Sequence, residues 1–433
     1  MAYGKGPFTA QDKILPGMYV NVVGEAQTGS GVGSRGKAAI ALDMNWGNDT
    51  SEIVKITASD FYASSDKIFG YKFSSPEMAV LRQIFLGATE VYVYRLNGEG
   101  GVVASAVDFA QAKYKGLRGN DISIVVTVNV DNTDAFDVVT MLDNVAVDRQ
   151  LKVTPQTIKD NDYVKFLTTA GGFSLAEGTY MLTGGSNGTT SGVSNHSDFL
   201  AKLEAYQVNA VGCISTDATI QAVYASWVKN QRDIFGNRIQ GVLFNQPADH
   251  EGIINVDDSV GVVPWVLGKE AGCALNASLQ NVTYDGEVAP VKSYTQSELE
   301  EAISAGKFIL HRVGDSFRVL ADINSLVTLT GDKTEDFKLN QTIRVVDQLV
   351  IDASAIWNED FIGKVPNTES GRITFWSRII SLLNEYLGIG AIEEYDKEEV
   401  VVAAGTQRGS VVLTLPVSVA TMLEKAYVTI VVQ

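Results

Sequence analysis

Apolar and polar residues alternate in short bursts along this chain, and between the bursts the apolar positions recur at helical spacing. Near the start, ILPGMYVNVVG passes a Pro-Gly turn and alternates, with Met18, Val20 and Val22 on one face. This predicts an extended segment within residues 1–24. Residues 25–37, EAQTGSGVGSRGK, read as a Gly/Ser-rich loop. AAIALDM then reads as a strand and EVYVYRL as another. Between them SPEMAVLRQIFLGA reads as a helix, with Ser75 as N-cap, Pro76 in the first turn and Gly87 at the end.

The character changes over residues 99–195. DISIVVTVNV, FDVVTML, RQLKV and DYVKFL are short β runs separated by Asn, Asp and Gly turns, and the stretch closes with the flexible GGSNGTTSGVSN. A β-rich insert is expected there. Helical periodicity returns in HSDFLAKLEAYQVNAVG and TDATIQAVYASWVKNQRDIFG, and later in GVVPWVLGKEAGCALNASL and TQSELEEAISAGK. IQGVLFNQ reads as a strand and FILHRVGDSFRVL as two strands around a Gly-Asp turn. FKLNQTIRVVDQLVIDASAIWNEDFIG and SGRITFWSRIISLLNEYLG are long amphipathic helices, and EEVVVAAG with GSVVLTLPV forms a hairpin. The chain ends LEKAYVTIVVQ, where Tyr427 to Val432 has strong strand propensity. Chain ends are usually loose and polar, and an apolar edge strand invites association, so this last strand calls for a partner.

With 433 residues, 45% hydrophobic and 20% charged, the chain is globular in composition and long enough for two or three domains. No apolar run approaches the roughly 18 residues of a membrane span, and the first residues lack a signal-type apolar core, so a soluble product of the cytoplasm is expected. A net charge of -17 argues against a nucleic-acid partner; it serves solubility or an oppositely charged protein surface. Cys213 and Cys273 sit in apolar contexts and read as buried free thiols.

Candidate chemistry is sparse. Gly31 with Gly36-Lys37 fits G-x-x-x-x-G-K, but the next residue is Ala38 rather than Ser or Thr, and a strand rather than a helix follows. The dinucleotide pattern Gly31-x-Gly33-x-x-Gly36 fails for the same reason, which leaves a surface loop. His196, His250 and His311 have no metal-ligand spacing; His250-Glu251 begins like H-E-x-x-H, but Ile254 stands at its end. No G-x-S-x-G elbow occurs, the carboxylates are scattered, and Trp227, Trp357 and Trp376 sit at helical spacing as core residues do. No catalytic, cofactor or metal constellation emerges, which favours a structural or interaction protein.

Several stretches do have a resemblance in common: PGMYVNVV, LDMNWG, AKYKGLRGNDISIVV, YMLTGGSNG, LEAYQVNAVG, DHEGIINV, AGCALNASLQNVTYDGE, VLADINSLVTLT, DFKLNQTIRVVD, FIGKVPNTESGR and MLEKAYVTIVV. In this order they resemble the contractile tail sheath proteins of myophages, phage-tail-like bacteriocins and defective prophages of Gram-positive bacteria. The resemblance implies a multidomain α/β (α+β) fold. Its core would be built from residues 25–98 and 196–420, with a β-rich outer domain inserted at 99–195 and arms at 1–24 and 421–433. It implies strand exchange between identical chains through Met18, Tyr19, Val20, Asn21, Val22 and Val23 at one end. Tyr427, Val428, Thr429, Ile430, Val431 and Val432 would serve at the other.

Such head-to-tail contacts do not close on themselves, so they generate a helical polymer of stacked rings. The implied partners are further copies, an inner tail tube protein, and baseplate and tail terminator proteins, with no direct nucleic-acid contact, no membrane insertion and no cofactor. The implied place is a virion tail or tail-like particle assembled in the host cytoplasm, whose contraction drives the tube through a bacterial envelope. Arg372 and Arg378 on one helix are the tube-facing candidates. Gly24 with the Gly29–Gly36 loop, and Pro416 to Thr421, suit hinges. The other readings are a tube or baseplate component, a static β-strand-swapped adhesin or shell protein, and a nucleotide enzyme using Gly31–Lys37.

Overall fold

The computed structural model describes residues 32–48, 51–106, 109–167, 175–189 and 192–432. The expected strand Met18–Val23, Gly24 and Gly31 lie outside these residues. The first part comprises β1 (Lys37–Leu42), β2 (Val54–Thr57), α1 (Ala58–Phe69), α2 (Ala79–Phe85) and β3 (Glu90–Arg95). Seven short strands follow: β4 (Ser105–Ala106), β5 (Ala110–Ala112), β6 (Ile122–Val128), β7 (Phe136–Leu142), β8 (Val145–Val153), β9 (Val164–Phe166) and β10 (Gly178–Met181). Next come α3 (Val193–Leu203), β11 (Ala210–Gly212), α4 (Ala218–Asp233), β12 (Gln240–Phe244), β13 (Ile253–Val256), α5 (Val263–Gly272) and α6 (Gln296–Ser304). β14 (Lys307–Phe308) and the hairpin β15 (Leu310–Val313) and β16 (Ser316–Val319) complete this part. The last part holds α7 (Asn340–Ile356), a wide turn Trp357–Phe361, α8 (Glu369–Gly388), β17 (Ile392–Glu394), β18 (Val401–Ala404), β19 (Val411–Thr414) and β20 (Ser418–Val419).

The central sheet runs β14-β13-β12-β11-β1-β3-β2, parallel except for the edge strand β2. Period-two alternation explains its two cores. Ala38, Ile40, Val91, Val93, Val242 and Ile254 pack on one face with Trp265 and Val266 of α5. Ala39, Ala41, Tyr92, Tyr94, Val211 and Leu243 pack on the other with Phe199 of α3 and Tyr224 of α4. The chain leaves β1 for β3 on one side and returns to β11 on the other, so the order reverses between β1 and β11.

The strands between β3 and β11 pair among themselves, as a sheet β10-β6-β7-β8 and a sheet β4-β5-β9, around their own core of Ile122, Ile124, Val138 and Val164. Arg118 fastens this unit to the first part. Its guanidinium donates to Gly70 O at 2.8 Å and to Asp143 at 2.8 and 2.6 Å, and it lies 4.4 Å from the Tyr71 ring. Gly116, at φ 135°, lets the backbone pass against Asn45 O where a Cβ would collide.

Some local expectations differ from the structure. Ser75 makes no side-chain cap, and the turn after it is a 3-10 turn, Pro76–Met78, that leads into α2. The helical reading of HSDFLAKLEAYQVNAVG ends at Leu203, because Ala210–Gly212 is a buried central strand too short to show a period. The helical reading of GVVPWVLGKEAGCALNASL stops at Gly272. The last part has a core of its own, with Val345, Leu349, Phe375, Ile379, Leu383 and Tyr386 between α7 and α8.

Candidate assembly interface

The final segment builds no element within the chain. β20 pairs with β17, Ala420 N donates to Ala391 O at 3.1 Å, and Gln341 Nε2 donates to Ala420 O at 2.9 Å. Beyond this point residues 421–432 make no hydrogen bond to any described residue. Tyr427, Ile430 and Val432 are 93%, 83% and 90% exposed. Val, Ile and Thr there favour extended backbone, in which unpaired N–H and C=O groups would be open to a partner. The sequence-derived set Tyr427–Val432 is an exposed segment of high strand propensity with no described partner.

Beside it, β18 and β19 form a two-stranded hairpin whose outer edges pair with no other described strand. Val411 and Leu413 of β19 turn toward α7, and Val412 turns out to solvent. With Leu415, Val417, Leu349, Ala353, Trp357 and Phe375 they line an apolar groove of about 650 Å³. An isolated hairpin is marginal, and a third strand on its edge would extend the ladder while covering such a groove.

Arg372 and Arg378 both lie on α8 and both already have partners. Arg372 Nη1 donates to Asn367 Oδ1 at 2.9 Å, and Arg378 Nη2 pairs with Asp360 Oδ2 at 3.0 Å on the surface. In the described part of the Gly31–Lys37 loop, residues 32–37, amides are already engaged. The amides of Gly36 and Lys37 both donate to Asn209 Oδ1 at 3.0 Å, and Gly33 N donates to the Asp352 carboxylate at 3.1 Å. A carboxylate stands where a phosphate site needs free donors.

Asp233, His250 and Glu251 come within reach of one another, a grouping the sequence did not show. His250 Nδ1 accepts from Gly252 N at 3.0 Å, so in the neutral ring Nε2 carries the proton, facing Asp233 Oδ2 at 3.1 Å. A metal at Nε2 would need that proton gone while Nδ1 keeps its donor. Lys333 already holds Glu251 at 2.8 Å. Burial pushes His250 below its ordinary pKa despite the two carboxylates. The cluster is a structural hydrogen-bond site.

A cleft of about 530 Å³ opens at the carboxyl ends of β1 and β11, where the strand order reverses. Ligands of open α/β sheets bind at such points. Here Asp43, Glu77, His196, Ser215 and Thr216 line it without any Lys or Arg, which does not suit a phosphate-bearing ligand.

The residues that sequence reasoning missed sit in a buried ionic cluster. Arg344 of α7 pairs with Glu270 of α5 and with Asp322, both at 2.6 Å, and donates to Ala277 O at 3.1 Å. Asp322 also accepts from Leu279 N at 2.9 Å and Asn340 Nδ2 at 3.0 Å. Burial pushes the Glu270 carboxyl up to about 7 against the pull of Arg344; at Asp322 burial pushes the same way, but Arg344 together with the Leu279 and Asn340 hydrogen bonds holds the carboxyl low. The stretches AGCALNASLQ, LADINS and NQTIRVVD thus meet at one point. The available signal was slight: Asp322 and Arg344 each stand among apolar neighbours, in VLADI and TIRVV.

Four known domains match the chain in order. They are the tail sheath protein Gp18 domain III N-terminal region over residues 35–96, the phage tail sheath protein beta-sandwich domain over 100–187, the phage tail sheath protein central domain over 189–325, and the phage tail sheath C-terminal domain over 332–433. Protein YqbK of Bacillus subtilis (strain 168) is 30% identical, with 98% of each chain aligned. The phage-like element PBSX protein XkdK of the same organism is 29% identical over 97% of each. The sheath tail protein from Desulfitobacterium hafniense superposes with a TM-score of 0.80 at 29% identity, over 95% of this chain and 99% of that one. At 12% identity the helical sheath of the anti-feeding prophage in its contracted state has the same fold, with a TM-score of 0.57 over 96% and 98% of the two chains.

Proposed function

Since the chain belongs to the phage tail sheath protein family, and is a component of a phage tail or tail-like particle, we propose that it polymerises helically around an inner tube and contracts to drive that tube through a bacterial envelope. The observation that carries this reading is the apolar segment Tyr427–Val432, exposed and without a described partner, in a chain whose β18–β19 hairpin pairs with no other described strand and lies over an apolar groove. A strand that one copy lends to the next makes a heterologous contact, which propagates. Met18 to Val23 would lend a second strand at the other end. A structural neighbour described as a helical sheath in a contracted state fits the same picture.

The work of contraction is stored in the assembled lattice, since a structural polymer of this kind consumes no nucleotide. The extended lattice is then metastable and persists kinetically. Cores rotate largely as rigid bodies between two packings, and apolar surface newly buried in the second supplies the drive, at roughly 25 cal/mol per Å². Baseplate and terminator proteins bound the polymer, and assembly takes place in the host cytoplasm. We assign the tube contact to α8 around Arg372 and Arg378, since exposed charge contacts are weak enough to release.

The test is to co-express the chain with its tube and baseplate neighbours, purify the particles, and image them before and after a mild denaturant pulse without nucleotide. Two discrete sheath lengths, long before and short after, support the reading. A single length under both conditions leaves a static shell.

A further inference from the structure

We propose that α7 fixes the roots of both chain ends on one rigid element, so that the two arms of a subunit move as a pair. This rests on the strand-exchange reading above and adds a positioning role for Asp352 and Gln341. At the first root, Asp352 Oδ2 accepts from Gly33 N at 3.1 Å and from Tyr386 Oη at 2.7 Å, and Asp352 Oδ1 accepts from Gln348 Nε2 at 2.7 Å. Asp352 is 6% exposed and Tyr386 is fully buried, so these bonds are not exchanged freely for water. A Cβ at Gly33 would come within 2.6 Å of both Asp352 Oδ1 and Gln348 Nε2, so a side chain there would have to displace the groups that hold this backbone. Val32 N donates to Glu385 Oε2 at 3.2 Å, and Arg35 Nη2 donates to Glu270 O at 3.1 Å.

At the second root, Gln341 Nε2 donates to Ala420 O, and Gln341 is 3% exposed. Asp352 and Gln341 stand at opposite ends of the same helix, eleven residues and therefore about 16 Å apart along its axis. Between them Arg344 and Asp347 pin the helix to the core, through Glu270, Asp322 and Arg232. The helix cannot shift at one end without breaking buried ion pairs in its middle. The sequence suggested hinges at Gly24 with the Gly29–Gly36 loop and at Pro416 to Thr421; of these, the described residues 32–36 and Ala420 are bonded in place at these contacts. Rotation between subunits must then be absorbed outside these contacts. A pull on one arm then reaches the other through one helix rather than through a soft loop.

The experiment places spin labels on Ser34→Cys and Thr421→Cys, both exposed. Burial pushes the native Cys213 and Cys273 thiols up to about 12 and about 11, which keeps them out of the labelling. Doubly labelled chains are diluted into unlabelled ones, and the distance is read by pulsed dipolar spectroscopy in the free chain, the extended sheath and the contracted sheath. One narrow distance common to all three is the expected result; a distance that differs between the sheath states overturns the proposal. In the free chain, Asp352→Ala and Gln341→Ala should each broaden the distribution, and unchanged distributions in both also overturn it. The free-chain arms stand even if the chain never assembles, which separates failure here from failure of the sheath reading.

Discussion

Replacing Ile430 with serine is expected to raise the critical concentration for assembly about 30-fold. Ile430 is 83% exposed in the single chain. Side chains of a strand alternate, so Val428, Ile430 and Val432 share one face and Tyr427, Thr429 and Val431 the other. Burying one such side chain contributes roughly 1.5–3 kcal/mol, so three on one face contribute about 5–9. Ordering six backbone residues costs about 6–12 kcal/mol, and ladder hydrogen bonds at about 1 kcal/mol each close the gap. A single exchanged strand is thus marginal, and losing one isoleucine, about 2 kcal/mol, is felt as roughly a 30-fold change. The assay is pelleting of assembled material across a concentration series, with monomer melting as control. Thr429→Ser, on the opposite face, should shift the threshold far less. An unchanged threshold for Ile430→Ser, with an unchanged monomer, would refute the reasoning.

Three further outcomes follow from the interior. Arg344→Ala leaves Glu270 and Asp322 buried without their cation, and should cost about 3–5 kcal/mol in denaturant unfolding of the monomer. Arg118→Ala removes the fastener between the β-rich unit and the core; it should lower the melting temperature and open that junction to limited proteolysis, with the central sheet left protected. Burial holds His196 and His250 below their ordinary pKa of 6.5, so the unfolded chain takes up protons first as pH falls. Stability should decline as pH drops through 6.5, and the slope should flatten in His196→Gln/His250→Gln; a slope indifferent to both changes would contradict the assignment.

The amphipathic helices were legible because their apolar stripes are long: α7 falls within the stretch the periodicity marks, α8 starts one residue before its own, and Thr295 caps the helix it precedes; the Thr368 cap of α8 was not read. Strands β7 and β19 were legible because one face is more exposed and alternation survives, and β6 because its sequence still alternates Ile122, Ile124 and Val126 with Ser123 and Thr127. Ala210–Gly212 and Ile253–Val256 were not, since a strand buried on both faces carries no alternation and three or four apolar residues fit a helix equally well. The terminal strand stood out in the sequence because its propensity conflicts with its position. The Arg344 cluster was invisible because its partners lie 74 and 22 residues away, at Glu270 and Asp322. The fold alone brings α7 beside the end of α5 and the loop that carries Asp322. The anchoring of Gly33 was hidden in the same way: a Gly/Ser-rich run reads as a loose loop until the carboxylate that holds it is seen.

The claim that most needs testing is that identical chains are joined through their last strand. The direct measurement compares the full chain with one ending at Lys425, each purified alone, concentrated, and imaged by negative-stain electron microscopy. Hollow helical tubes from the full chain and monomers from the shortened one are the predicted pair. Tubes of equal abundance from both would contradict it and place the joining contact elsewhere.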